Sequence, residues 1–320
     1  MIKKIIPART LCVFLAMIIL ATPLAACNQG GRVKDKVAAA HGRYDSPAIW
    51  KITDQDSTLY LFGTVHLMQP DIKWQRRDMQ AAFDDVGTVF FEIPDDDKSA
   101  LQTSILQRRY GVYPGNEKLT DHLDKININR LTAAAYNSDV PLSRLQKFKP
   151  WLAADILSVA AVDKAGMQYA NSADAQMRIK AEQAHKSIRA LDSVETYFDA
   201  VAQQPDWVQI RALEQTILHF NTLVSETLKV NAAWLVGDTV LLENEMLAPA
   251  KARSPELYQA LFTQRNKKWS KTLEQFMQGD DNAMVIVGIG HMLGSDGLPA
   301  LLANHGYKME RLERLDLPNE

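Results

Sequence analysis

Apolar runs of strand length lie near both ends of the chain, and helical spacing fills the middle. Ile49 to Ile52 and Thr58 to Phe62 flank the polar cluster Asp54-Gln55-Asp56-Ser57, a pattern that predicts an opening hairpin. A helix is expected from about Lys73 to Asp85, leading into a strand from Thr88 to Ile93 that Pro94 ends. Residues 97–280 or so read as mostly helical, punctuated by Pro114, Pro141, Pro150, Pro205 and Pro255. Trp151, Asp155 and Ile156, and again Leu213 and Ile217, have helical rather than alternating spacing. A short strand from Ser187 to Leu191 interrupts this region. The pattern then predicts a strand from Ala283 to Val287, a helix from about Asp296 to Asn304 stopped by Gly306, and a last strand from Tyr307 to Leu312. The fold class is therefore α/β, with a sheet built from N- and C-terminal strands and a large helical insertion that could serve as a lid or cleft wall.

The first residues have a different character. Lys3 and Lys4 precede an apolar core from Leu11 to Leu20, and Leu24-Ala25-Ala26-Cys27 follows. A basic start, a short apolar run and small residues before a cut describe a secretory signal rather than a spanning helix. A cysteine after Leu-Ala-Ala resembles the bacterial lipoprotein box, in which cleavage leaves Cys27 acylated; an ordinary signal peptide is the alternative. The division is then residues 1–26 as lipoprotein signal peptide, 27–45 as a flexible polar tether, and 46–320 as the folded domain. Asn28 is not the aspartate associated with inner-membrane retention, so the periplasmic side of the outer membrane is expected. The chain has two cysteines, Cys12 and Cys27. Cys12 leaves with the signal, so no internal disulfide can form in the mature chain. The formal net charge of −2 gives no electrostatic case for nucleic acid. No second apolar run reaches the roughly 18–20 residues that span a bilayer.

Three strand ends carry the candidate chemistry. Gly63-Thr64-Val65-His66 follows one apolar run, Gly288-Ile289-Gly290-His291 follows another, and Glu92 closes a third. In open α/β sheets, ligands bind beyond the C-terminal ends of the strands. Gly63, Gly288 and Gly290 suit that position because glycine lets a backbone come close to a substrate. Two neutral imidazoles and a carboxylate could hold a divalent metal with one open position and activate its water. Without a metal, one histidine could act as general base with the carboxylate orienting it. Arg265 adds a possible cation, although periodicity alone reads it as a solvated helix arginine. His41, His122, His185, His219 and His305 read as structural histidines.

These residues together resemble the TraB/GumN family, which is related to the Tiki membrane proteases and more distantly to erythromycin esterases and the haem-binding ChaN lipoproteins. The match carries Gly63-Thr64-x-His66-Leu67, Phe91-Glu92, Lys149-Pro150-Trp151, Arg265-Asn266-x-x-Trp269, Val287-Gly288-x-Gly290-His291-x-x-Gly294-x-x-Gly297-Leu298 and Gly306-Tyr307. The resemblance implies an active-site set of His66, Glu92, Arg265 and His291. His66, Glu92 and His291 would then form the metal or water-activating centre, with manganese, cobalt or zinc as the ion. Arg265 would stabilise an oxyanion or bind a substrate carboxylate. At Ala190-Leu191-Asp192 the chain carries aspartate where family members often carry Leu-Glu. The leading expectation is a lipid-anchored, metal-assisted hydrolase with peptidase activity on a peptide, protein or small ester. The rivals are a metal-free esterase-like hydrolase with His66 as base, and a non-catalytic lipoprotein that binds haem or a partner protein.

Overall fold

The computed structural model describes residues 46–312. The signal segment, Cys27, the tether and His41 lie outside the described residues. The predicted hairpin is present: β1 (Ile49–Thr53) pairs antiparallel with β2 (Thr58–Thr64), from Ile49 opposite Phe62 to Thr53 opposite Thr58. Its turn is set by Asp54, whose Oδ1 accepts from the Ser57 N–H at 2.8 Å and the Ser57 hydroxyl at 2.9 Å. The other strands are β3 (Thr88–Phe91), β4 (Ser187–Ala190), β5 (Ala283–Gly288) and β6 (Lys308–Arg311).

The sheet order is β4-β3-β5-β2-β1-β6. β5 lies between β2 and β3 and is parallel to both, and β4 extends the parallel part beyond β3. All residues of β3 and β5 are buried. Strands covered on both faces read as continuous apolar runs, which is why these two were plain in the sequence. Every residue of the edge strand β4 is exposed, so its local pattern was weaker.

The helix expected from Lys73 begins later, as α1 (Arg77–Asp84), because Trp74 is withdrawn into the core to stack on Phe62 at 5.5 Å. Between β3 and β5 come α2 (Asp97–Gly111), α3 (Lys125–Asn137), α4 (Pro150–Lys164), α5 (Ala173–Gln183), α6 (Val194–Ala202), α7 (Asp206–Leu218), α8 (Leu223–Leu235) and α9 (Gln264–Phe276). Their starts obey local chemistry. Asp96, Asp124, Ser172 and Ser193 each accept a backbone N–H of the first turn, and Pro150 opens α4. α4 is buried almost all round and packs against α2, α3, α7 and α8, forming the centre of the insertion. Between α8 and α9 the chain makes two π-helical turns, Glu243–Leu247 and Gln259–Thr263. After β5, α10 (Leu298–Asn304) leads to β6. Sheet and insertion share one apolar core. No helix among the described residues is long and apolar enough to cross a membrane.

Candidate active site

The parallel strands deliver their C-terminal ends to one edge of the sheet. His66 lies two residues beyond β2, Glu92 directly beyond β3, and His291 in the 3-10 turn Ile289–Met292 after β5. Asp192 follows β4 at the same edge and donates its N–H to the Glu92 carbonyl at 2.8 Å. The loop bearing His66 is pinned on both sides by α8: Trp234 Nε1 donates to the Gly63 carbonyl at 2.7 Å and Asn231 Nδ2 to the Leu67 carbonyl at 2.8 Å.

The four residues expected in the site meet around Glu92. Its Oε1 lies 3.8 Å from His66 Nε2 and 3.7 Å from His291 Nε2, and it accepts the Gly288 N–H at 2.8 Å. Its Oε2 accepts from Arg265 Nη2 at 2.8 Å. Arg265 is not the solvated residue its helical periodicity suggests. It is 5% exposed, and its Nε donates to Asp192 Oδ2 at 2.9 Å while Nη1 stands 3.4 Å from His291 Nε2. Asp192 is paired a second time by Lys268 Nζ at 2.7 Å. The shorter acid after β4 therefore belongs to the site as the anchor of Arg265.

Asp174 carries no signal in the sequence and Asn266 appears there only within the motif Arg265-Asn266-x-x-Trp269, yet the two orient the imidazoles. His66 Nδ1 lies 3.0 Å from Asp174 Oδ2, and Thr64 Oγ1 donates to Asp174 Oδ1 at 2.6 Å. An ionised carboxylate only accepts, so His66 carries a proton on Nδ1. His291 Nδ1 lies 2.6 Å from Asn266 Oδ1, while Asn266 Nδ2 donates to the Asp296 carbonyl at 2.8 Å. That second bond fixes the amide orientation, so His291 Nδ1 donates and its Nε2 keeps a lone pair. Phe262 and Trp269 flank the His291 ring, with centroids 5.0 and 4.4 Å away.

These surroundings drive the two histidines apart. Burial disfavours a charged His66, but the carboxylates of Asp174 and Glu92 outweigh it and raise the pKa to about 9. Burial, reinforced by the charges of Arg265 and His66, takes His291 down to about 3. Glu92 is pulled well below the usual carboxylate range: burial opposes ionisation, but His291, Arg265, His66 and the Gly288 N–H outweigh it. At neutral pH the centre holds an imidazolium, a neutral imidazole, a carboxylate and a guanidinium.

A cavity of about 1150 Å³, including its open mouth, rises from this floor and is lined by all four residues and by Asp174, Gly288 and Gly290. A Cβ on Gly288 would stand 2.7 Å from His66 Nε2 and 3.2 Å from Glu92 Oε1. A Cβ on Gly290 would stand 2.6 Å from the Phe262 ring. Both glycines are thus required by the close approach of neighbouring side chains. Gly63 does not line the cavity; it packs beneath it against Ile289 and Met292. The described histidines that the sequence reads as structural do not line it either: His122 pairs with Glu117 at 2.9 Å and His305 with Glu274 at 2.8 Å.

For a metal, the donor set has suitable members, since both imidazoles present Nε2 to one carboxylate oxygen while Nδ1 is held by a partner. The arrangement does not complete a site as it stands. Arg265 Nη1 points at the His291 Nε2 lone pair that an ion would need, and both Glu92 oxygens already accept hydrogen bonds. No group of three or more histidines, cysteines or acids among the described residues is arranged to hold an ion.

Fold and site together define an α/β protein whose central parallel strands converge on a buried histidine, carboxylate and arginine centre roofed by a helical insertion. The sequence pattern of the TraB/PrgY/gumN family matches residues 48–311, nearly the whole of the described chain. The chain belongs to the TraB/PrgY/gumN family. No curated protein and no solved structure matches it.

Proposed function

We propose that this protein is a hydrolase of ester or amide bonds, peptide bonds included, acting at His66, Glu92, Arg265 and His291. The observation that carries this reading is the pair of histidines aimed by Nε2 at one carboxylate oxygen, with pKa values displaced in opposite directions. Two titratable groups pushed apart by their surroundings can divide acid and base work between them. Once Arg265 Nη1 turns from His291 Nε2 to the substrate carbonyl oxygen, water set against His291 Nε2 and Glu92 Oε1 attacks the scissile carbonyl carbon, and His291 accepts the proton it loses. Negative charge growing on the carbonyl oxygen is met by the Arg265 guanidinium and protonated His66. As the tetrahedral intermediate collapses, His66 Nε2–H protonates the leaving alcohol or amine. The proton on His291 then returns to His66 by way of Glu92 Oε1, which faces both rings.

A second reading is a metal-assisted hydrolase in which His66, Glu92 and His291 hold manganese, cobalt or zinc once Arg265 swings aside. It is favoured by the partnered Nδ1 atoms of both histidines. The test is turnover of a panel of aryl esters and peptide amides before and after chelation, with an absorbance spectrum of the same sample. Turnover that survives chelation is the expected result. Turnover that vanishes and returns with one of the three ions establishes the metal reading. A wild type that hydrolyses nothing under either condition overturns both, and a Soret band would point to haem binding instead.

We propose also that the domain works at the periplasmic face of the cell envelope, tethered through acylated Cys27. This rests on Leu24-Ala25-Ala26-Cys27 behind a basic, apolar leader. Fractionated cells should show the wild type in the outer membrane and Cys27→Ser displaced from it. Wild type released soluble, with an unmodified N-terminus, would leave an ordinary signal peptide in place of the lipoprotein.

A further inference from the structure

We infer that the group hydrolysed at this centre carries an uncharged apolar acyl chain, received by a wall built from the two π-helical turns, with Ala250 setting its reach. This inference rests on the hydrolase reading above. The first π turn contributes Met246 and Leu247 to the cavity, the second Leu261 and Phe262, and Ala250 stands on the short helix Ala248–Arg253 between them. π turns widen a helix and are frequent at functional sites. Here two of them, separated by one short stretch of chain, present large apolar side chains to the same space.

Two polar side chains that line the cavity beside this wall already bind backbone carbonyls. Asn231 Nδ2 is used by the Leu67 carbonyl and Thr227 Oγ1 by the Leu223 carbonyl, each at 2.8 Å. Arg178, the remaining cation at the cavity, donates to the Ile93 carbonyl at 2.9 Å and lies 4.0 Å over the Phe91 ring. A charged group pushed against Met246, Leu261 and Phe262 would lose its hydration with no replacement.

The topology favours an acyl chain over an extended peptide. A bound strand draws much of its affinity from backbone pairing along a sheet edge. The edges of this sheet are β4 and β6, whereas the cavity opens over the ends of β2, β5 and β3 in its middle. Ala250 is the smallest side chain on the wall and is 2% exposed. A larger residue there would fill the space available to the far end of the chain.

The experiment measures kcat/KM for aryl esters from acetate to dodecanoate, for the monosuccinyl ester, and for matched amides of apolar amino acids. Binding of free decanoate is measured separately by calorimetry, which needs no turnover. The wild type is expected to gain roughly fourfold per methylene up to an optimum of intermediate length. It should disfavour the succinyl ester by at least about tenfold against butanoate. Ala250→Phe, or Ala250→Val should the phenylalanine variant not fold, is expected to move the optimum to shorter chains and weaken decanoate. Met246→Ala is expected to move it to longer ones. Ester turnover with a flat or acetyl-favouring profile and no decanoate binding overturns the inference while leaving the hydrolase standing. Decanoate binding that Ala250 variants weaken, with no ester or amide cleaved, does the reverse. Apolar peptide amides turned over better than every acyl ester would replace the acyl chain with a peptide.

Discussion

Arg265→Ala is expected to lower stability by about 3–5 kcal/mol, because it strands buried charge rather than merely deleting a contact. The guanidinium joins Glu92 to Asp192, and the Asp192 side chain is wholly buried. Without it, Glu92 keeps only the Gly288 N–H and two histidines at 3.7–3.8 Å, and Asp192 keeps only Lys268. Denaturant unfolding reads the loss directly. Adding Asp192→Asn should recover part of it, since the second change removes one stranded carboxylate. Arg265→Lys should fall between the two. An ammonium can meet one carboxylate well but cannot bridge both with the geometry of the fork. Turnover should fall on the order of a hundredfold or more in each variant, the usual cost of losing an oxyanion donor. An alanine variant as stable as the wild type would show that the two carboxylates are not held by this cation.

Loss of activity as pH rises through about 9 is the second large effect, and His66 is its source. Burial works against the His66 charge, but Asp174 and Glu92 raise its pKa to about 9. The proton that the proposed mechanism gives to the leaving group is thus present at neutral pH and disappears on the alkaline side. The same group affects stability with the same sign. A histidine raised above its ordinary value of 6.5 stabilises the fold fully below that value, and the contribution is lost as pH rises through about 9. His66→Gln should remove the alkaline limb of the kcat/KM profile and lower the plateau by about 10²–10⁴, the usual contribution of a positioned acid. Asp174→Asn should keep the limb but shift it towards neutrality, because the partner that raises the pKa is gone. A wild-type profile flat through this range would remove His66 as the acid. It would favour the metal reading, in which Nε2 is held by an ion and carries no proton.

The sheet was legible in the sequence where strands are covered on both faces. β2, β3 and β5 are apolar runs, and each hands over to a chemically distinctive residue within three positions. That is also why His66, Glu92 and His291 could be found without a structure. The supporting residues had no comparable signature. Asp174 lies in the first turn of α5, where an acid ordinarily does no more than complement the helix dipole. Asn266 follows Arg265 on α9 and belongs to the family motif, but its task is visible only in its bonds to His291 and Asp296. Arg265 itself looked solvated because helical periodicity cannot anticipate two buried acids arriving from β3 and β4. The π turns were invisible for a similar reason. Their widened geometry depends on what the chain packs against, and no local residue pattern encodes it.

The placement of β5 has a consequence for the order in which this molecule is made. The middle strand of the parallel sheet comes from residues 283–288, yet its neighbours lie at 58–64 and 88–91. Until that late segment arrives, β2 and β3 have a gap between them, and Glu92 lacks both the Gly288 N–H and His291. Helices of the insertion can condense through contacts close in sequence, but the sheet must close a loop of more than two hundred residues. Long-range parallel pairing of this kind is slow and leaves apolar strand edges exposed in the meantime. A chain emerging from its N-terminus would therefore hold a partly formed scaffold and an incomplete centre. Assembly of the centre coincides with completion of the sheet.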